Sequence, residues 1–330
     1  MNPNVLQWDG APGHYEVHYV SLTDPTSGIG FWIRYTMRAP LARAPECHLW
    51  FMAMNADGDV RLARKATFAI DRLVAEPDPF RLHLDESVLT DRGMAGSFDD
   101  VAWELSWTPT LPVAEHVHPL LQRARIARTV LCLPHPDLAV SGTVSFAGRT
   151  LELDGAKGGQ AHLWGSKHGG RWTWAHCNDF ADAQSRAPQP ETYVDGVSVV
   201  VPRLGRDIGP STPVVGRFLG EDFRSTSPAR VLRNPSRFGL ESWSFEARDG
   251  HRKIAGRVDA PHASLVGVTY DDPDGDQVWC YNSETASMRL TVLDRQSGTW
   301  RERAGLVADG RAHFEYAQRA PAEGVELLLR

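Results

Sequence analysis

The chain has 330 residues, 42% of them hydrophobic and 23% charged, and a formal net charge of −6. That composition excludes wholesale disorder and a collagen-like fibre, and a mildly acidic chain with no Lys/Arg block is a poor partner for nucleic acid or anionic lipid. No apolar run approaches the length of about 18 residues that a membrane span needs, so none is expected.

Short alternating segments bounded by turn residues recur along the chain, which is an all-β signature. The stretch from Met1 to Gly10 has no basic region followed by an apolar core, so no signal peptide is expected there. Phe31 to Met37 sets Phe31, Ile33, Tyr35 and Met37 against Trp32, Arg34 and Thr36. Glu46 to Met54 follows, then the Asn55–Gly58 turn and Val60 to Ile70, a hairpin signal. Val101 to Trp107 and Leu138 to Phe146 read as strands, and Phe146 to Leu151 as a tight hairpin into Thr150–Leu153. Leu111 to Arg128 departs from this pattern, and a loop with a short helix over Pro119–Ala127 is predicted.

Ala181 to Glu191 is the most linker-like stretch, and it divides the chain into domains at residues 1–185 and 186–330. The second half repeats the β character in Tyr193–Val201, Val214–Leu219, Ser242–Ala247, Lys253–Val258, Val278–Asn282, Met288–Asp294 and Ala312–Ala317. Two antiparallel barrels or sandwiches side by side are the expected architecture. Cys47, Cys132, Cys177 and Cys280 form no C-x-x-C motif and no disulfide framework, so reduced thiols in a cytoplasmic protein are expected.

The richest segment runs from Gly159 to Phe180. On a strand alternate residues share a face, so Trp172, Trp174, His176, Asn178 and Phe180 line one side, with Arg171, Thr173, Cys177 and Asp179 on the other. His162 and Trp164 make a similar pair on the preceding strand. A face of Trp, Trp, His and Asn reads as the wall of an aromatic cavity with a polar end. Tryptophans packing a barrel, with His176 and Asn178 bonded to backbone, are the competing reading. Trp32 with Arg34, and His313 with Glu315, also share strand faces; an interior charge there needs a partner or a ligand.

No metal is expected. His162, His168 and His176 lack a zinc spacing, as does the pair His116 and His118, and there is no H-E-x-x-H. His116, His118 and His135 lie in a Pro-rich stretch and are expected in solvent. Asp271, Asp272, Asp274 and Asp276 lack the EF-hand order and read as a solvated hairpin tip. Without a Walker A, a G-x-G-x-x-G or a G-x-S-x-G motif, no nucleotide or other cofactor is indicated.

The block His162-Leu-Trp164-Gly165 followed by Trp172-Thr-Trp174-Ala-His176-Cys-Asn178-Asp179-Phe180 resembles the AttH-like, tocopherol-cyclase-like and hydroxyneurosporene-synthase (carotenoid hydratase) family. So do Gly30-Phe-Trp32-Ile-Arg34-Tyr35, Leu49-Trp50-Phe51, Trp279-Cys280-Tyr281-Asn282-Ser283-Glu284 and His313-Phe314-Glu315. The central turn departs, with Ser166 to Gly170 where the family often has Trp-Pro. The resemblance implies two lipocalin-like barrels and a pocket for a large apolar molecule. The related proteins include cyclases, alkene hydratases and fungal pericyclases.

The reading is a cofactor-independent cyclase, isomerase or hydratase acting on an isoprenoid or polyketide-like chain. The alternative is a carrier of an apolar small molecule. His176, Asp179 and Glu315 are the candidate catalytic acids. Trp32, Arg34, Trp50, His162, Trp164, Trp172, Trp174, Asn178, Tyr281 and Asn282 are the candidate ligand-binding residues.

Overall fold

Period-two alternation governs the architecture, because it lets each strand fill one core with one face and meet a neighbour with the other. A computed structural model describes residues 2–117, 128–203 and 205–329. The predicted helix over 119–127, and His118, lie outside the described residues.

The first sheet comprises β1 (His14–Asp24), β2 (Ile29–Ala39), β3 (Glu46–Asn55), β4 (Arg61–Ala69), β5 (Leu73–Pro77), β6 (Phe80–Leu84), β7 (Ser87–Thr90), β8 (Gly93–Phe98), β9 (Val101–Trp107), β10 (Ala114–Glu115), β11 (Thr129–Phe146) and β12 (Arg149–Gly165). Its order is β4-β3-β2-β1-β12-β11-β9-β8-β7-β6-β5, with β10 beside β11. The second sheet comprises β13 (Arg171–Cys177), β14 (Ala181–Asp182), β15 (Tyr193–Arg203), β16 (Arg206–Ser211), β17 (Val214–Phe218), β18 (Glu221–Ser225), β19 (Ser236–Gly239), β20 (Ser242–Asp249), β21 (Arg252–Asp259), β22 (Val266–Asp271), β23 (Gln277–Gln296), β24 (Thr299–Gln318) and β25 (Leu327–Leu329). All pairings are antiparallel except β22 with β25. The chain changes sheet between Gly165 and Arg171, earlier than the expected boundary at 185/186.

The fold is therefore all-β, with two barrel-like sheets side by side, each around its own core. Phe31, Ile33, Phe51, Trp103 and Phe146 fill the first barrel. Phe218, Phe223, Trp243, Phe245 and Phe314 fill the second. The hairpins follow local chemistry: Ala147 (φ 48°) and Gly148 (φ 73°) supply the left-handed pair that a two-residue β11–β12 turn requires.

Every residue of β2 is buried, on both faces. Phe31, Ile33, Tyr35 and Met37 enter the first barrel, while Trp32 joins Trp50, Met52, Trp172, Val268 and Tyr270 in a layer between the domains. A second patch of that layer joins Leu131, Leu133 and Ala161 to Trp174, Tyr193 and Val215. The sheets approach closely at Gly30, where an added Cβ would lie 2.4 Å from the Cβ of Glu284.

Candidate functional site

Between the two sheets the packed layer opens into a cavity of about 1130 Å³. The first barrel contributes Tyr19 from β1, Trp32 and Arg34 from β2, Leu131 from β11 and Leu163 from β12. The second contributes Trp172 and Trp174 from β13, Val197 and Val199 from β15, Tyr270 from β22 and Glu315 from β24. Tyr19 meets Trp174 edge-on at 5.8 Å between ring centroids.

Three polar groups of this wall are tied to buried partners. Glu315 accepts from the indole Nε1–H of Trp172 at 2.6 Å and from the Tyr270 hydroxyl at 3.2 Å. Asp195, fully buried behind the wall, accepts from the Trp174 indole at 3.0 and 3.1 Å and pairs with His116 Nε2 at 2.8 Å. His116 Nδ1 is buried and has no hydrogen-bond partner among the described residues. His168 lies against Asp272 at 2.6 Å and stacks on Tyr15 with centroids 4.2 Å apart. Burial would raise the Asp272 carboxyl, but its hydrogen bond with His168 and the charge of Arg319, 2.7 Å away, hold it below its ordinary value.

Arg34 differs from these groups. Its guanidinium carbon sits 4.3 Å from the Tyr270 ring centroid, 5.3 Å from Trp32 and 5.6 Å from Trp50, and Nε donates to Thr36 at 2.8 Å. The residue is 5% exposed and has no carboxylate within ion-pair distance among the described residues. Burial pushes the hydroxyls of Tyr19 and Tyr270 well above their ordinary range, so both remain neutral donors.

The expected single wall from Trp172 to Asn178 is corrected. Trp172 and Trp174 face the cavity, but Pro136 to Leu138 of β11 cover the strand beyond them. His176 Nε2 is bonded to the Pro136 carbonyl at 2.8 Å and Nδ1 lies 3.0 Å from Nδ1 of His313. Burial depresses both rings' basicity, so they are neutral. Asn178 donates to Asp137 and to the Leu138 carbonyl. Asp179 points away from the cavity and pairs with Arg311 at 2.9 Å near the surface.

His162 and Trp164 lie on the opposite face of β12 from Ala161 and Leu163, and His162 bonds Glu16 at 2.7 Å. Tyr281 belongs to the second barrel's core, its hydroxyl accepting from the Ala322 amide. Asn282 is buried beside Glu315 in the β23–β24 register, and Trp50 lines a smaller pocket behind Arg34.

Two further expectations change. His116 and His135 are buried rather than in solvent. The 271–276 tip is solvated at Asp274 and Asp276, which pair with Lys167 at the surface, but its base is docked: Asp271 binds Arg38 and the buried Asp272 binds His168. Sequence reading missed Tyr19, His116, Asp195 and Tyr270. An acid inside the apolar run Tyr193-Val-Asp195-Gly-Val197 was the available signal for Asp195.

Glu16, His18 and His162 bring ligand atoms within 4.8 Å of one another. The rings of His18 and His162 stack in parallel at 4.0 Å, and both His162 nitrogens are taken, by Glu16 and by the Pro3 carbonyl. Burial raises the Glu16 carboxyl, but hydrogen bonds with His14 and His162 outweigh it and hold it at about 2. The cluster pins residues 3–8 onto the barrel, since Glu16 also accepts from the Gln7 and Trp8 amides.

No family model matches the chain. Uncharacterized proteins from two strains of Mycobacterium tuberculosis are 29% identical to it over 312 residues, covering 91% of this chain and 88% of theirs. Solved structures share the fold at low identity. An AttH-like protein of Nitrosomonas europaea matches with TM-score 0.54 and 12% identity, over 93% of both chains. CghA matches with TM-score 0.55 and 11% identity, over 94% of this chain and 90% of its own. Kievitone hydratase of Nectria haematococca matches with TM-score 0.50 and 8% identity, over 94% of this chain and 89% of its own. The chain thus shares the lipocalin-like all-β fold of these structures. No helix among the described residues is long and apolar enough to cross a membrane.

Proposed function

We propose that the protein binds one large, mainly apolar small molecule between its domains and promotes its cyclisation, isomerisation or hydration without a cofactor. The observation that carries this reading is the interdomain cavity. Its 1130 Å³ exceeds the usual pocket range of about 300–1,000 Å³, and aromatic rings from both domains wall it. Such walls can hold a flexible chain in a reactive conformer, which lowers the barrier by preorganisation. Kievitone hydratase and CghA, which share the fold, lend the reading support.

The chemistry this cavity favours is activation of a carbonyl or enone. Arg34 already occupies the faces of Trp32, Trp50 and Tyr270, so a carbocation held there would meet like charge. A guanidinium without a carboxylate partner can instead donate to an oxygen that gains negative charge. Glu315, with Trp172 and Tyr270, and His116, with Asp195, are the groups placed to move a proton. His176 is assigned a structural role. Four free and buried thiols support a cytoplasmic location as part of this reading.

The carrier alternative draws on one observation: Glu315 is held by two donors, as a structural carboxylate is. Titration of tryptophan fluorescence with polyene enones tests binding, and chromatography of the recovered ligand separates the two readings. Saturable quenching that Trp174→Ala weakens is expected. Under the enzyme reading Glu315→Gln retains binding and slows turnover by about 10²–10⁴-fold; under the carrier reading the ligand returns unchanged from both proteins. Absence of any saturable quenching overturns the proposal.

A further inference from the structure

Behind Arg34, a second and much smaller pocket of about 20 Å³ shares Arg34, His168 and Tyr270 with the large cavity. Its remaining boundary includes Trp50, Lys65 and Arg38. Four carboxylates lie near the pocket, each with its own partners: Asp271, on the pocket wall, and Glu46 bind Arg38, Asp272 binds His168 and Arg319, and Glu315 is held by Trp172 and Tyr270. Among the described residues Arg34 and Lys65 have no carboxylate within ion-pair distance; Lys65 lies instead over the Trp50 ring at 4.3 Å. His48 adds no compensating charge: burial and the neighbouring Lys65, Arg38 and Arg34 depress it to about 3. The Trp50 indole N–H, in a residue only 3% exposed, has no acceptor among the described residues.

Two cations and an orphaned donor therefore converge on a space that holds one or two water-sized groups. An unpaired buried guanidinium and an unsatisfied indole N–H each carry a desolvation cost that an oxyanion would remove. A neutral group would leave both charges uncompensated, and a third cation would repel them. The pocket shares Arg34, His168 and Tyr270 with the aromatic cavity, so a ligand held in the cavity lies directly beside it.

We propose that the pocket formed by Arg34, Trp50 and Lys65 is a carboxylate subsite, so that the ligand is an amphiphilic acid whose apolar body fills the interdomain cavity. This rests on the cavity being a ligand site. Hydrogen bonds to charged partners are stronger than those between neutral groups, so the acid should bind at least about tenfold more tightly than the matching alcohol.

Retinoic acid and retinol form such a matched pair, read by quenching of tryptophan fluorescence in the full-length protein. Preference for the acid is expected in the parent, and its loss in both Arg34→Met and Lys65→Met. Lys65 does not border the large cavity, so Lys65→Met should keep its affinity for the alcohol. Equal binding of acid and alcohol by the parent overturns the proposal. In parallel, sodium acetate is compared with sodium fluoride at equal ionic strength for its effect on the thermal midpoint. If neither retinoid binds, the cavity reading fails, and with it the claim that one acid spans both spaces. A rise with acetate that Lys65→Met abolishes would then show a site for free small anions, and no rise would remove the subsite as well.

Discussion

The barrel interiors and the layer between the barrels use similar aromatic residues to opposite ends. Inside the barrels the rings close on one another: Phe31 and Phe146 meet at 5.6 Å, Trp243 and Phe245 stack at 4.3 Å, and all four are at most 4% exposed. Between the barrels the rings leave a void, and two buried polar atoms, His116 Nδ1 and Trp50 Nε1, have no partner among the described residues. Stability is the organising demand on the first region. The second carries unsatisfied groups and empty space, which cost stability and are characteristic of a binding site.

The largest expected effect opposes the two regions directly. Phe51→Ala in the first barrel removes a fully buried ring from among Phe31, Trp103 and Phe146, and should cost about 3–5 kcal/mol. Leu163→Ala, on the cavity wall, removes atoms that already face a void and should cost well under half as much. Urea denaturation of both variants measures the contrast, and equal losses would break the distinction.

This contrast also explains what was legible in the sequence. The β elements were readable because barrel strands alternate: Val101–Trp107 was predicted with the bounds that the structure has. Trp32, Arg34, Trp172, Trp174 and Glu315 were readable as cavity candidates because they break the aliphatic norm of a core face. Their meeting across two sheets was not readable, since it depends on which faces the domains turn to one another. His176 shows the failure most clearly. Alternation placed it correctly on the face of Trp174, but only the path of β11, with irregular register between Cys132 and Leu138, buries it under Pro136. Asp195 and Tyr270 were missed because a single polar residue in a strand has no periodicity of its own.

The close approach of the sheets at Gly30 offers the next test. A Cβ there would press on both the side chain and the backbone of Glu284, at 2.4–2.9 Å. Gly30→Ala must therefore separate the domains locally, at a cost of about 1–3 kcal/mol, as overpacking does. It should also weaken ligand binding, because the cavity is built from both sides. Unfolding and fluorescence titration together decide, and a stable variant with unchanged binding would show the domains to be more loosely docked.

Protonation distinguishes the interdomain layer further. Burial and the nearby Glu315 push the Glu284 carboxyl well above its ordinary value of 4.5. The folded protein therefore keeps this proton while the unfolded chain releases it, so stability is lost as pH rises above 4.5. His176 and His313 act oppositely: burial holds them neutral, the unfolded rings protonate near 6.5, and stability is lost as pH falls below that value. Glu284→Gln should flatten the alkaline limb, by at most about 1.4 kcal/mol per pH unit for one proton, and leave the acid limb unchanged. Urea midpoints between pH 4 and pH 9 (a range of about five units, enough to span both limbs) would show this, and a parallel shift of the whole curve would refute it.

The smallest expected change in stability is also the most informative about the cavity. Replacing a charged residue in a packed core usually destabilises by breaking a buried pair, but Arg34 has no carboxylate to strand. Arg34→Met removes the desolvation cost of an unpaired guanidinium and keeps much of its volume against Trp32, Trp50 and Tyr270. What it loses is the attraction of a cation to three ring faces, about 0.5–2 kcal/mol where desolvated, and one hydrogen bond to Thr36. These contributions oppose one another, so the net change should fall within about 1 kcal/mol of zero, while binding of an acidic ligand falls at least about tenfold. Such a separation of stability from binding is what a residue held in place for a ligand should show. A loss of several kcal/mol in urea denaturation would instead make Arg34 a structural strut, and the aromatic layer around it an ordinary domain interface.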